Sequence, residues 1–481
     1  MQRRIPQAIP VAIAVAIAVA CANANAAAPA PTRAPAPAPA PATTPAAPAA
    51  PSAVKDADRQ QVYKQFREVF DARKYTEALP LAQKLVSMTE EQYGDKDRAL
   101  VNPLTNLATV HYRLKDFTSA EQEYSRSVQI LEATASSTDR AFLRPLHGLG
   151  AAHFAEGEYV DASVNLKRAI DLSRNLDGLF NIEQLQILDP LIASYIQLDL
   201  TADAEKEQQY ALRVAETAYG KTDARMLKPL DRYGRWLEQL GRYTTARLLY
   251  ARALTIAEQA GGRGSVLGVD PLLGIARSYR LEFVNGTEDP AAAPDPFGQQ
   301  DVAPLPLEGG QRLNPDGERA LRLALNALEK ATPVDHQKRG ETLTELGDWY
   351  ASAGSFTKGV EVYKEAWKEL SATGSTAPLD KPRMLSYRPP ASSVRRSHLD
   401  SEESEERFVE VRYTVTKDGR TDKVETVSSD AAESSQKAVI AAMKKARYAP
   451  RMENGEAVDT PEVIWREKLL IKTKQPAQKG S

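Results

Sequence analysis

From about Asp58 to about Gly262, apolar residues recur at three- and four-residue spacing, the period of a helix with one buried face. Leu107, Tyr112 and Leu114 mark one such helix, and Tyr124, Val128 and Leu131 mark the next. A longer period lies over the short one. Ala78, Ala120, Ala162, Ala204 and Ala246 follow one another at intervals of 42 residues, and Tyr75, Phe117, Tyr159 and Tyr243 stand three positions before four of them. Pro103, Pro145, Pro229 and Pro271 keep the same register, which Pro190 misses by three. A fixed period of this size predicts stacked helix–turn–helix units. The alanines mark close helix crossings, where only a small side chain leaves room for the partner helix.

The pattern breaks after Ala246. Leu272, Ile275 and Tyr279 still read as a first helix, but Asn285 to Gly317 is rich in Pro, Gly and Asp and predicts a surface excursion. Helical spacing resumes at Ala320, and a last repeat carries Leu346, Gly347, Tyr350, Phe356 and Gly359, the last in place of the crossing alanine. After Val409 the period becomes two, through Val411, Tyr413 and Val415, which predicts a half-buried strand. Asp418-Gly419 signals a hairpin and Val424 to Val427 a returning strand. Ser434 to Arg447 has helical spacing, and Val463 to Ile471 reads as a final strand, giving a small β-β-α-β unit.

Composition adds the ends. Arg3 and Arg4, the apolar run Val11 to Ala20 and Ala24-Asn25-Ala26 read as an export signal with a small-residue cleavage site. The run is short of the ~20 residues that span a bilayer. Cys21 is the single cysteine; it is either discarded with the signal, lipidated in a sequence that resembles a lipoprotein box, or part of a retained anchor. Ala27 to about Pro51 is almost all Ala and Pro and predicts an extended tether. Charged residues make up 26% of the chain and the formal net charge is −2, so no basic footprint points to nucleic acid.

The crossing alanines, the aromatic before them and Leu107-Ala108, Leu149-Gly150, Leu191-Ile192-Tyr195 and Leu346-Gly347-Tyr350 resemble the tetratricopeptide repeat, in the 42-residue form of kinesin light chains. The resemblance implies an α-solenoid that binds proteins, with the first helix of each pair lining its concave face. Solvent-facing positions there include Asn106, Arg144, His147, Lys228, Arg232 and Arg235. Such a set suits an acidic segment or a terminal carboxylate.

Val409, Asp418-Gly419, the following helix, Arg447-Tyr448-Ala449-Pro450, Gly455 and Val458 look like the C-terminal domain of TonB-family proteins, over Arg407 to Lys472. That resemblance implies pairing of the last strand with a peptide of an outer-membrane receptor. The edge would be Val463, Ile464, Trp465, Leu469 and Ile471, with Trp465, Leu469 and Ile471 also packing on the helix. Energy transducers of the family keep a transmembrane helix carrying a histidine; residues 1–30 here contain no His.

No catalytic signature accompanies these modules. The five histidines are scattered without metal-ligand spacing on one helix, and there is no G-x-S-x-G, phosphate loop or H-E-x-x-H. The expected fold class is mainly α, a tetratricopeptide α-solenoid followed by a small α+β TonB-like domain. Its layout is a signal peptide (1–26), tether (27–56), repeats (57–281), excursion (282–317), further helical repeats (318–370), linker (371–406) and end domain (407–473). The expected role is a non-catalytic periplasmic scaffold with protein or peptide partners, no cofactor and no metal, touching membrane only through a retained or lipidated N-terminus. The alternatives are a TonB-type energy transducer and a lipid-anchored scaffold.

Overall fold

A computed structural model describes residues 51–286, 313–393 and 404–472. The expected signal, Cys21 and nearly all of the tether lie outside these residues, as does most of the excursion. The described residues divide into two compact units, one up to Val214 and one from Ala215 on.

The first unit holds four helix pairs. They are α1 (Pro51–Asp71) with α2 (Tyr75–Tyr93), α3 (Val101–Arg113) with α4 (Phe117–Thr134), α5 (Leu143–Glu156) with α6 (Tyr159–Asp177), and α7 (Gln184–Gln197) with α8 (Thr201–Tyr219), whose end passes into the second unit. Ala78, Ala120, Ala162 and Ala204 are completely buried, as their place at a helix crossing requires. In the first three pairs the aromatic before the alanine closes the turn: Phe70–Tyr75, Tyr112–Phe117 and Phe154–Tyr159 have ring centroids 5.5, 5.3 and 5.6 Å apart. Between pairs, the Asp97 and Asp139 carboxylates accept the backbone N–H two residues on, at 2.8 and 2.9 Å. Each caps a short 3-10 turn that buries Leu100 or Phe142.

Neighbouring second helices are laced on the same 42-residue register. Arg126 pairs with Glu90 at 2.6 Å and Arg168 with Glu132 at 2.7 Å. At the next step the acid's position is Arg174, which lies over the Tyr210 ring at 4.0 Å and reaches Glu207 at 2.6 Å. The Arg126–Glu90 and Arg168–Glu132 pairs are partly exposed and contribute at most about 1 kcal/mol each, so they set register more than stability.

The second unit continues with α9 (Leu227–Gln239), α10 (Tyr243–Gly261), α11 (Val269–Asn285), α12 (Pro315–Glu329), α13 (His336–Ser352) and α14 (Phe356–Ser371). Tyr250 on α10 is fully buried. It fits because glycines face it on both sides: a Cβ on Gly234 or Gly274 would come within 2.6 or 2.5 Å of its ring. The α11–α12 pair buries Val269, Leu272 and Ala276 with Leu321, Ala324 and Leu328. The excursion is therefore an insertion in the turn of a repeat. Its ends differ from expectation, since α11 runs to Asn285 and α12 starts at Pro315 rather than Ala320. Proline suits the first helical turn, and Asn314 caps that turn by accepting from the Asp316 N–H at 3.0 Å.

The end domain contains β2 (Ser404–Val415), β3 (Thr421–Ser429), α15 (Glu433–Lys444), three short strands β4 (Arg447–Ala449), β5 (Arg451–Glu453) and β6 (Glu456–Val458), and β7 (Thr460–Lys472). Its main sheet has the antiparallel order β3-β2-β7, and α15 covers one face through Val439 and Met443. The β-β-α-β order holds, with short strands added. A further strand, β1 (Arg383–Ser386), pairs with β4.

That strand lies in the stretch read as a linker, whose described residues are folded. Leu379 and Leu385 are buried with Leu343, Ala366 and Leu370 of the helical repeat and with Ala449 and Met452 of the end domain. Arg383 makes a two-pronged contact with the buried Asp348 carboxylate on α13, at 2.9 and 2.7 Å, and the Tyr363 hydroxyl donates to the same group at 2.8 Å. A four-residue strand that follows Lys381-Pro382 shows no period in sequence; only its pairing reveals it. The last repeat and the end domain thus share one core.

Candidate partner-binding edge

β7 is an edge strand. It pairs with β2 without interruption from Leu470↔Glu406 to Val463↔Tyr413, and the register shifts near Glu462, which has a left-handed φ of 57°. Side chains alternate along it. Val463, Trp465, Leu469 and Ile471 join the core over α15, as expected for Trp465, Leu469 and Ile471. Ile464 points the other way and is 59% exposed. Beside it, Arg466 pairs with Glu410 at 3.1 Å and Lys468 with Glu406 at 2.8 Å, both across to β2.

Backbone groups alternate too. The Leu470 N–H points away from β2, because it donates to the Ser392 carbonyl at 2.7 Å. By the same alternation, Ile464 and Arg466 turn both N–H and C=O outward. Among the described residues, the pairing on that outer side is the bridge Ser393↔Leu469. Among the described residues, the edge predicted as Val463 to Ile471 is therefore met by a second segment at its C-terminal half.

The covering segment is well held. Ser393 is fully buried, its N–H donates to Pro390 O at 3.0 Å and its hydroxyl donates to Glu467 at 2.5 Å. Glu467, itself buried, also accepts from Trp465 Nε1 at 3.0 Å, and Tyr387 stacks edge-on against Trp465 at 5.7 Å. Tyr387, Ser392, Ser393 and Glu467 escape a sequence reading because Pro-Pro-Ala-Ser-Ser resembles a loop and the contacts span 74 residues.

The expected groove residues fall on both units. In the first, Arg144 is exposed and donates to half-buried Asn106 at 3.1 Å, linking α5 to α3. His147 departs from the solvent-facing expectation: its Nε2 is buried without a hydrogen-bond partner. Burial pushes the imidazole down to about 4, only partly offset by a backbone contact at Gln186. In the second unit, Lys228, Arg232 and Arg235 lie along one face of α9 and are exposed. Arg235 pairs with Asp231 at 2.8 Å.

Glu121, His153 and Glu158 bring one ligand atom each to within 4.8 Å of one another, from α4, α5 and the turn before α6. The sequence reading missed this group because its members do not share a helix. His153 Nδ1 meets Glu158 at 2.6 Å, and His111 meets Asp116 at 2.9 Å in the turn one repeat earlier. The contact thus recurs as a lock on that turn. Desolvation and the Glu158 and Glu156 charges raise the Glu121 carboxyl, against the opposing pull of His153.

Two family models match parts of the chain. Residues 69–133 match the tetratricopeptide repeat family and residues 403–465 the family described as Gram-negative bacterial TonB protein C-terminal. No curated protein matches the chain. Among solved structures, kinesin light chain TPR-like repeats of Podosopora anserina align at 15% identity and a TM-score of 0.39, over 42% of this chain and 95% of that one. BtubC from P. vanneervenii aligns at 16% and 0.35 over 66% and 94%. The C-terminal part of a TPR repeat-containing protein from Cytophaga hutchinsonii aligns at 13% and 0.40 over 66% and 98%. The chain carries tetratricopeptide repeats followed by a TonB-type C-terminal module, two kinds of domain that bind proteins.

Proposed function

We propose that the protein is a non-catalytic interaction scaffold of the Gram-negative periplasm. Its β7 edge accepts an extended segment of a partner as an added strand, and helix faces of the repeats hold a second protein. The observation that carries this reading is the outward-facing backbone of Ile464 and Arg466 on a strand whose other edge and inner face are fully engaged. Backbone pairing supplies affinity in such additions, and alternate side chains supply selectivity. The exposed cations Arg144 and Lys228 favour acidic segments on the helical part. An outer-membrane receptor of the TonB-dependent class is the partner that the end domain's family suggests.

The test is amide exchange on the full chain with a peptide copied from the periplasm-facing segment of such a receptor. Protection of the Ile464 and Arg466 amides supports strand addition; unchanged exchange at both across a panel of such peptides removes it. Location is tested by intact mass and N-terminal sequence after expression in a Gram-negative host. A soluble form starting near Ala27 supports a free periplasmic scaffold. A lipidated Cys21 makes it a membrane-anchored scaffold, and an intact Met1 in the inner membrane replaces it with an energy transducer.

A further inference from the structure

We infer that Glu121, His153 and Glu158 form a binding site for a divalent transition-metal cation of the zinc class, set across the seam between two neighbouring helix pairs. The three offer one ligand atom each, all within 4.8 Å of one another. Glu121 stands on α4 of the second pair, His153 on α5 and Glu158 in the turn before α6 of the third. An imidazole with two carboxylates suits zinc and its neighbours, whereas magnesium and calcium take oxygen ligands. Two ligand atoms of one tetrahedral zinc lie roughly 3.3 Å apart, so a small swing of exposed Glu158 and half-buried Glu121 closes the site around the ion. His153 Nδ1 now shares a proton with Glu158 at 2.6 Å. The ion displaces that proton, which passes to Nε2 or to solvent, and a neutral imidazole remains as the ligand.

Two of the three groups are placed by the backbone. Gly157 takes a left-handed φ of 85°, and the Glu158 N–H donates to the His153 carbonyl at 2.9 Å, which folds the acid back onto the imidazole. His153 is buried, and the exposed Glu158 leaves one side of the group open to solvent for entry of an ion. The repeat itself supplies the comparison that singles out Glu121. One period earlier the three positions hold Leu79, His111 and Asp116, and His111 meets Asp116 at 2.9 Å in the same kind of turn. The turn therefore locks with a histidine and an acid alone. The third position accepts a leucine packed on the core, yet in this repeat it holds a carboxylate beside that of Glu158, where like charges repel. A bound cation turns that repulsion into attraction. One period later the positions hold Ser163, Tyr195 and Leu200, so of these three repeats the middle one alone carries the full set.

The ion acts as a clip. It ties α4 to the turn between α5 and α6, beside the bond that the Thr118 hydroxyl donates to Glu156 at 2.6 Å across the same seam. Stacked repeats are held together by such nearest-neighbour contacts, so the clip stiffens the first unit at its middle. It stands whether or not β7 accepts a strand.

The experiment titrates zinc chloride into the chelator-treated full chain, with affinity read by calorimetry. Glu121→Leu, which copies the preceding repeat, and Glu121→Gln, which keeps the shape, should each weaken zinc binding by at least about 10-fold. His111→Ala removes the equivalent turn contact one repeat earlier and should leave zinc affinity unchanged. X-ray absorption of the zinc-loaded chain should show an imidazole nitrogen among oxygen ligands. Unchanged affinity in both Glu121 variants means that zinc sits elsewhere and overturns the site, as does the absence of binding at zinc concentrations up to about 1 mM. An equal loss in His111→Ala means that turn stability rather than ligation sets the affinity, and overturns it too. Circular dichroism without zinc checks the fold of each variant; should one Glu121 variant fail to fold, the other decides.

Discussion

His147 gives the sharpest test of the helical region. His147 is half-buried with its Nε2 enclosed and unpartnered, and desolvation moves its pKa from 6.5 to about 4. In the unfolded chain the same group titrates near 6.5. Above that pH it is neutral in both states and contributes no pH dependence. As pH falls below 6.5 the unfolded chain takes up a proton that the folded chain refuses, so stability declines toward the folded pKa of about 4. At pH 5 the loss is about 2 kcal/mol, and below pH 4 it levels at about 3 kcal/mol, a large fraction of a typical domain's 5–15 kcal/mol. The perturbation is His147→Gln, which never carries charge. Urea unfolding at pH 7.5 and pH 5, followed by circular dichroism, gives four free energies. The difference of differences cancels the carboxylates and the other histidines. The unaltered chain should lose about 2 kcal/mol more than His147→Gln between the two pH values. A difference below about 0.5 kcal/mol, or one of opposite sign, means that the imidazole is solvated or paired in the folded protein.

Three further outcomes follow from the geometry. Ile464→Pro and Arg466→Pro should leave the fold intact and abolish strand partners, because the lost N–H faces outward, whereas Trp465→Pro removes a bond to β2 and should lower the melting temperature; equal melting losses in all three would refute the assigned alternation. Asp348→Ala removes the buried carboxylate that holds half-buried Arg383 and leaves the buried Tyr363 hydroxyl without its acceptor, and should cost about 1–3 kcal/mol in chemical denaturation, with an unchanged midpoint showing that the contact is not made. Ala162→Leu places three extra carbons at a fully buried helix crossing and should destabilise by at least about 1–3 kcal/mol; an unchanged unfolding midpoint would show that the crossing is loose.

The repeat was legible because its determinants are local. Ala78, Ala120, Ala162, Ala204 and Ala246 are spaced by the helix pair itself, and all five are fully buried. The Arg126–Glu90 and Arg168–Glu132 rungs were not legible, since each joins residues 36 apart on different helices and exposed charges look alike in sequence. The core face of β7 could be read from its two-residue period. The segment that meets its edge could not, because Ser392 and Ser393 act through a backbone carbonyl and a hydroxyl from a stretch with the composition of a loop. His147 was misread for a related reason. A histidine on a first helix looks solvent-facing until the next helix is placed over it, and here the Gln186 backbone lies against it.

A stack of helix pairs ends in a raw hydrophobic face that needs cover. In this chain Leu343, Leu370 and Tyr363 at the end of the stack lie under Leu385, Ala449 and Met452. The strand-bearing domain thus serves as the lid that repeat arrays otherwise obtain from a polar terminal helix. Truncation after Ser371 would bare that surface and promote self-association. Tension applied through a strand on β7 would also be borne by the repeats, through Arg383 and Asp348, rather than by a swinging tether.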